Sequence, residues 1–121
     1  MLIQLLRVKI QQLFVSESSV NYPGSIALPD ELIEASGLKL FELVHVNNVN
    51  NGSRIITYVV RSKKKGYVSL NGAASKHFVQ GDKIHVLSYA YVTEQNAVLH
   101  EPKIIYTDED NCLIEVKTYT F

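Results

Sequence analysis

Short runs rich in Val, Ile, Tyr and Thr recur along the chain, and several of them alternate apolar with polar residues. Such alternation is typical of strands, because successive side chains point to opposite faces of a sheet. Most of the runs are clear, and one near the start of the chain alternates only in part. The clear runs cover residues 42–49, 53–61, 67–70, 83–92, 103–107 and 112–120, and the partial one covers 5–15. We therefore predict a mainly β fold.

Helical signals are confined to two short segments. Residues 29–37 begin with Pro29, which suits a first helical turn, and carry acidic residues near the positive N-terminal end. Gly37 is a typical residue for ending a helix. A second short helix is predicted within residues 72–79, after the last of the first three clear strands.

Turn residues separate the strands. Asn51-Gly52 and Lys65-Gly66 predict hairpin turns that join the first three clear strands in order. The lysine run at 63–65 is then a solvated, charged hairpin tip. Six or seven short strands with one or two short helices favour a small closed β-barrel, which we expect to form a single domain.

Composition and charge narrow the class of protein. The chain of 121 residues has 12 basic and 12 acidic residues, and the resulting zero net charge disfavours nucleic acid as a partner. No apolar run is long enough to span a membrane, and the first residues do not form a signal peptide. The single Cys112 fits a reducing compartment, so a cytoplasmic protein is expected. Cys112 itself is predicted to be a small buried residue at the start of a strand.

Conventional signatures of catalysis are sparse. The four histidines lack the spacing of metal ligands, and no glycine-rich phosphate loop is present. They are His45, His77, His85 and His100. The acidic residues 108–110 are explained by a turn between strands. Gly24-Ser25 lies in a Pro-Gly-Ser turn, and this dipeptide would also suit a bond that a protein cleaves in itself. These residues alone leave the function open.

Four motifs follow one another along the chain and carry chemically useful side chains. They are RVKI with Lys9, YPGS with Tyr22, Gly24 and Ser25, NGSRIITYVV with Arg54, Thr57 and Tyr58, and SLNGAASKH with Asn71, Gly72, Ala73 and Ala74. Together with the later segments GDKIHVLSYA and EPKIIYTDEDN, they resemble the pyruvoyl-dependent aspartate 1-decarboxylase family. The resemblance extends over nearly the whole chain, in the order and at the length of the family.

The resemblance implies a double-psi β-barrel that assembles into a homotetramer, with active sites between subunits. It also implies an inactive proenzyme in which the hydroxyl of Ser25 attacks the carbonyl of Gly24. The resulting ester undergoes β-elimination to dehydroalanine, and hydrolysis then leaves a pyruvoyl group in place of Ser25. The chain would thereby be cut into residues 1–24 and 25–121. Glycine at position 24 does not hinder this attack and can hold an unusual backbone conformation. The family also leaves room for an accessory protein in maturation.

The implied reaction converts L-aspartate to β-alanine and carbon dioxide, which feeds pantothenate and coenzyme A synthesis. The pyruvoyl ketone forms a Schiff base with the substrate amine and accepts electrons from the departing carboxylate, so neither pyridoxal phosphate nor a metal is implied. Tyr58 is the implied proton donor, and Thr57 is implied to act in self-cleavage and in substrate binding. The other implied substrate-binding residues are Lys9, Arg54, Asn71, Gly72, Ala73 and Ala74, with Tyr22 in a supporting role.

Some features do not fit this assignment simply. Thr57 and Tyr58 are neighbours in a predicted strand, so their side chains should point to opposite faces unless a bulge, a strand end or a neighbouring subunit intervenes. Gln11, Gln12 and Asn47 depart from residues that are frequent in the family near the expected site. Two alternatives therefore stay open: the same chemistry on another amino acid such as glutamate, or an uncleaved barrel that only binds.

Overall fold

The computed structural model describes residues 1–21 and 23–120, and strands make up most of its regular structure. The strands are β1 (Leu2–Phe14), β2 (Glu17–Ser19), β3 (Ser25–Leu28), β4 (Leu43–Asn48), β5 (Arg54–Arg61), β6 (Ser69–Asn71), β7 (Lys83–Thr93), β8 (Lys103–Thr107) and β9 (Leu113–Thr118). The helices are α1 (Asp30–Ser36), a 3₁₀ helix (Ala73–His77) and α2 (Glu94–Ala97). The prediction of a mainly β fold is confirmed.

The strands are hydrogen-bonded in the order β2-β6-β3-β5-β4-β7-β1-β8-β9. Most neighbouring pairs are antiparallel, but β1 with β8, β2 with β6 and β3 with β5 are parallel. After β1 the chain crosses to the β2–β6 end of the sheet. There the backbone N–H of Ser16 donates to the carbonyl of Val68, just before β6, at 2.7 Å. Closure of the barrel and the double-psi topology stay predictions.

One hydrophobic core is enclosed by the strands and α1. Its side chains come from alternate positions of the strands. In β1, for example, Val8, Ile10 and Leu13 are buried between more exposed residues. The largest fully buried side chains include Ile26, Leu28, Leu32, Leu70, Ile84 and Ile105, which come from β3, α1, β6, β7 and β8. This packing leaves the opposite faces of the central strands free to carry polar groups.

The predicted helix at 29–37 is confirmed as α1. Pro29 precedes its first residue with φ of −64° and an extended ψ, and Gly37 ends it with a left-handed φ of 74°. The N–H of Gly37 donates to the carbonyl of Ile33 at 3.0 Å, which closes the last turn. The second predicted helix is present as the 3₁₀ helix.

Several predictions of local structure are corrected. Asn51-Gly52 does join an antiparallel hairpin, β4 with β5, but Lys65-Gly66 does not, since β5 and β6 both pair with β3 instead of with each other. Strands β2 and β3 and helix α2 were not predicted from the sequence pattern. Cys112 precedes β9 and is half-buried rather than buried. The acidic stretch is a turn as predicted, in which Asp108 Oδ1 accepts from two backbone N–H groups.

The helices of the described residues are all short. None is long and apolar enough to cross a membrane.

Candidate active site

A cleft of about 510 Å³ opens on the face of the sheet that is turned away from the core. Ile26 of β3 pairs with Val59 of β5, and both are buried in the core. The residues next to them along each strand therefore face the other way. Ser25 and Ala27 from β3, Tyr58 and Val60 from β5, and Ser69 and Asn71 from β6 line the cleft.

Ser25 is the buried nucleophile candidate at the bottom of this cleft, with 4% of its surface exposed. It pairs with Asn71 across β3 and β6. The side-chain amide of Asn71 donates to Ser25 Oγ at 3.1 Å, and Ser25 Oγ lies 3.4 Å from the carbonyl oxygen of Pro23, to which it donates. Neighbouring groups thus hold the hydroxyl in one orientation, beside the Gly24–Ser25 peptide bond.

The special backbone conformation expected at Gly24 is found instead at Gly72. Gly24 does not have a positive φ, and a Cβ added there would come no closer than 3.9 Å to the carbonyl oxygen of Asn71. Gly72 has φ of 82° and ψ of −164°, a region that essentially only glycine occupies. A Cβ at Gly72 would lie 2.5 Å from Gly24 Cα. The turn before Ser25 therefore rests directly on the backbone of Gly72.

Tyr58 and Thr57 are separated by the alternation of β5. Tyr58 lines the Ser25 cleft together with Phe41, whose ring centroid lies 6.3 Å from that of Tyr58. Thr57 does not line this cleft. It lies in a shallow depression with Phe41, Leu43, Ile56 and Tyr58. Within one chain, then, the structure brings Tyr58 to Ser25 but leaves Thr57 apart.

Arg54 is also on β5 but reaches away from Ser25. Its Nε and Nη2 each lie 3.2 Å from Nδ1 of His45 on β4, and Nη2 donates to the hydroxyl of Tyr89 on β7 at 2.9 Å. The rings of His45 and Tyr89 meet edge to face, with centroids 5.1 Å apart. Because β4 and β7 lie on the side of β5 opposite to β3, the guanidinium extends away from the serine.

Lys9 lies on the same face of the sheet as Arg54. It pairs with Leu87 of β7, which in turn pairs with His45 of β4. Burial lowers the pKa of the neighbouring His85, and the positive charges of Lys9 and Lys83 lower it further. The pKa of His45 is also below its ordinary value, first through burial and then through the charge of Arg54. We call Lys9, His45, Arg54, His85 and Tyr89 the cationic face.

Asn47 lies within the cationic face, between Arg54 on β5 and His85 on β7. It is opposite Arg54 in the pairing of β4 with β5 and opposite His85 in the pairing of β4 with β7. Its side-chain oxygen Oδ1 is buried and has no hydrogen-bond partner among residues 1–21 and 23–120. A buried acceptor without a partner is uncommon in native proteins, and it leaves Asn47 with an unsatisfied oxygen next to Arg54 and His85.

The remaining predicted site residues fall around the serine. Gly72 is buried, Ala74 is half-buried and Ala73 is exposed at the start of the 3₁₀ helix. Tyr22 lies outside the described residues.

Pro23, which the sequence suggests shapes the turn before the bond to be cut, lines the cleft. The sequence did not indicate that Glu17, Phe41, Lys63 and Lys64 line it too. Only the sheet register could have indicated Glu17, which pairs with Ser69.

No group of three or more His, Cys, Asp or Glu side chains in the described part of the chain is arranged to hold a metal ion.

Comparison with known proteins assigns this mainly β chain to a family. A family model described as aspartate decarboxylase matches residues 1–114. Aspartate 1-decarboxylase from Campylobacter jejuni is 40% identical over 117 residues, covering 97% of this chain and 93% of the relative. The enzymes of the same name from Dehalococcoides mccartyi and Stenotrophomonas maltophilia are 40% and 44% identical, covering 93% and 90% of this chain and 92% and 87% of their own lengths. The chain belongs to the aspartate decarboxylase family.

The family implies a pyruvoyl cofactor, and the residues around Ser25 fit such a group. A pyruvoyl group has the backbone carbons of serine and one carbon beyond them, and it lacks Oγ, so it needs no more room than Ser25 occupies. The buried position of Ser25 excludes water on one side and opens into the cleft on the other. The side-chain amide of Asn71, now bonded to Oγ, is a donor that suits a carbonyl oxygen.

Proposed function

We propose that this chain decarboxylates L-aspartate to β-alanine and carbon dioxide, using a pyruvoyl group made from its own Ser25. The observation that carries the proposal is the buried Ser25, which follows Gly24 at the bottom of a cleft and bonds to Asn71. A serine used only for packing would not need a cleft beside it. The family relationship supplies the substrate class and the cofactor.

Self-cleavage uses residues of the cleft. Ser25 Oγ attacks the carbonyl carbon of Gly24, and the peptide C–N bond breaks as an ester forms. Elimination of the Gly24 carboxylate from this ester, followed by hydrolysis with loss of ammonia, leaves the pyruvoyl group. Asn71 holds Oγ in place, and the bare backbone of Gly72 lets the turn at Gly24 lie close to the 3₁₀ helix. Thr57 stays a predicted participant in this step.

Decarboxylation then depends on side chains that bind the substrate and move a proton. The pyruvoyl group supplies the electron sink for the departing carboxylate. Tyr58, which lines the cleft beside Ser25, is suited to protonate the substrate carbon afterwards. Arg54 and Lys9 supply the positive charges that the two carboxylates of aspartate need.

We further propose that the active site is shared between subunits of a homotetramer. Tyr58 lies beside Ser25, whereas Arg54 is four residues earlier in β5, about 13 Å from Tyr58 at the usual rise of a strand. Its guanidinium is directed toward β7. Aspartate is too short to span this distance within one chain, which supports a site in which the cationic face of one subunit meets the Ser25 cleft of another.

The function is tested by incubating the purified protein with L-aspartate and, separately, with L-glutamate, and by measuring the amine product and carbon dioxide. We expect β-alanine from aspartate and at most a minor activity with glutamate. Ser25→Ala is the control, because it can neither cleave the chain nor form the cofactor. Absence of β-alanine from a cleaved wild-type protein would contradict the proposal.

A further inference from the structure

We propose that His45 is a positioning residue that holds the guanidinium of Arg54 in the orientation in which it receives a substrate carboxylate. This inference deepens the proposed function and rests on the role given there to Arg54. It adds a residue that none of the sequence motifs contained.

The geometry of the contact carries the proposal. His45 Nδ1 lies 3.2 Å from both Nε and Nη2 of Arg54, so a single ring nitrogen receives one edge of the guanidinium. Tyr89 accepts from Nη2 at 2.9 Å and packs its ring against that of His45. Arg54 is exposed and has a long flexible side chain, and without these two partners it would lose its fixed direction.

The hydrogen bonds leave one end of the guanidinium unused. Nε and Nη2 are bonded to His45 and Tyr89, whereas Nη1 has no hydrogen-bond partner among residues 1–21 and 23–120. Nη1 carries two N–H groups, which are good donors to a carboxylate. His45 therefore binds the edge of the guanidinium formed by Nε and Nη2, and Nη1 is left to donate to a substrate carboxylate.

The role requires His45 to be neutral, because only a neutral ring has an acceptor lone pair on Nδ1. Its surroundings favour that state. The groups that can carry charge on the adjoining strands are Arg54, Tyr58 and Arg61 on β5 and Lys83, His85, Tyr89 and Tyr91 on β7, with Arg7 and Lys9 beyond them on β1. None of them is a carboxylate that would stabilise a protonated ring. Burial and the charge of Arg54 lower the pKa of His45, which favours the neutral ring, and the tautomer with its proton on Nε2 supplies the acceptor at Nδ1.

Two substitutions at His45 separate the hydrogen bond from the ring contact. His45→Phe keeps a ring against Tyr89 but has no acceptor, and His45→Gln keeps an acceptor oxygen without a ring. Hydrogen bonds to charged groups contribute about 1.5–3 kcal/mol. We therefore expect His45→Phe to raise KM for aspartate about tenfold or more with kcat within about twofold of wild type. His45→Gln should restore KM to within about threefold of wild type.

A second measurement does not depend on turnover. In the uncleaved Ser25→Ala background, succinate serves as a dicarboxylate probe without an amine. Its Kd should rise about tenfold on adding His45→Phe and little on adding His45→Gln. The ¹⁵N resonance of Arg54 Nε, compared in the same proteins, reports the bond itself. Thermal unfolding identifies a variant that fails to fold.

The outcomes distinguish this inference from the proposed function. A cleaved wild type without activity on aspartate contradicts the function. An active wild type with unchanged KM and succinate binding in His45→Phe contradicts the inference alone. Equal losses in the Phe and Gln variants also contradict it, because the ring contact would then matter rather than the acceptor.

Discussion

Gly72 is the glycine on which the geometry at Ser25 depends. Motif reasoning placed the special backbone at Gly24, the residue next to the bond to be cut. In the structure the special backbone conformation belongs to Gly72, at the end of the neighbouring strand β6, where a Cβ would clash with the backbone of Gly24. The difference arises because the constraint is a contact between β6 and the turn before β3, and a sequence motif does not display contacts between distant segments.

Substitution of Gly72 tests this contact. We expect Gly72→Ala to impair cleavage after Gly24, since its Cβ would lie 2.5 Å from Gly24 Cα. Gly81→Ala is a matched control, because Gly81 has φ of 91° and open space around it. Each substitution should cost about 1–3 kcal/mol from backbone strain alone. The fraction of cleaved chain is measured on a denaturing gel. Equal cleavage in the two variants would show that the contact between Gly72 and Gly24 is unimportant.

Tyr58 separates cofactor formation from decarboxylation. We expect Tyr58→Phe to cleave normally and to lose about 10²–10⁴-fold in kcat, because the phenol proton is removed while the ring beside Phe41 is kept. Tyr91→Phe, on the exposed end of β7, should behave as wild type. Steady-state rates on cleaved protein provide the measurement. A wild-type kcat for Tyr58→Phe would remove this residue from the reaction.

Among the strands and helices, prediction succeeded for runs rich in β-branched and aromatic residues and failed for very short segments that lack them. Strands β7 and β8 were predicted almost to the residue, because each is a run of β-branched and aromatic residues. Strand β3 has four residues that are all buried, so it has no polar alternation to detect. The lysine turn was misread as a hairpin because β3, inserted between β5 and β6, comes from earlier in the chain.

The directions of side chains on the outer face were the least predictable part of the site. Strand alternation places Arg54, Ile56 and Tyr58 on one face of β5, and this could be anticipated. The direction of the Arg54 side chain, toward β4 and β7, could not be anticipated. It depends on contacts with His45 and Tyr89, whose strands are neighbours only in the folded chain.

A charged cluster joins the start of β4 to β1 and β7. Glu42 accepts from Arg7 at 2.6 Å and from the buried hydroxyl of Ser88, and it also caps the N–H of Lys39 at 2.9 Å. Burial raises the pKa of Glu42, but these hydrogen bonds and the Arg7 charge outweigh it and leave the pKa below the ordinary 4.5. The cluster therefore stabilises the fold while Glu42 is ionised.

This stabilisation should depend on pH. A carboxylate whose pKa is lower in the folded state contributes fully above the unfolded pKa, and its contribution is lost as the pH falls through the folded value. We expect Glu42→Gln to lower the free energy of unfolding by about 1–3 kcal/mol at neutral pH. The difference from wild type should shrink in acid. Urea titrations at a series of pH values from neutral to acid measure the difference in the free energy of unfolding. Glu109→Gln, at an exposed position, is the control. A difference that is independent of pH would contradict the assignment.

At the scale of the whole molecule, the proposed sharing of the site between subunits predicts complementation. Ser25→Ala lacks the cofactor and Arg54→Gln lacks a carboxylate-binding charge, so each homomeric variant should have little activity. When the two are co-expressed and assemble together, about a quarter of the sites should combine an intact Ser25 from one copy with an intact Arg54 from another. Activity of the mixed protein well above that of either variant is expected. No recovery in confirmed mixed assemblies would place both residues in one chain's site.

Ser25 is the residue that we propose becomes the cofactor, and the intact mass of the denatured protein shows whether it does. We predict two fragments, residues 1–24 and 25–121, with the larger one lighter by one ammonia than a chain that begins with serine. A full-length chain that persists after prolonged incubation, with and without an extract containing maturation factors, would contradict the claim. A larger fragment with the mass of a serine-initiated chain would also contradict it, because the bond would have been cut without forming the pyruvoyl group.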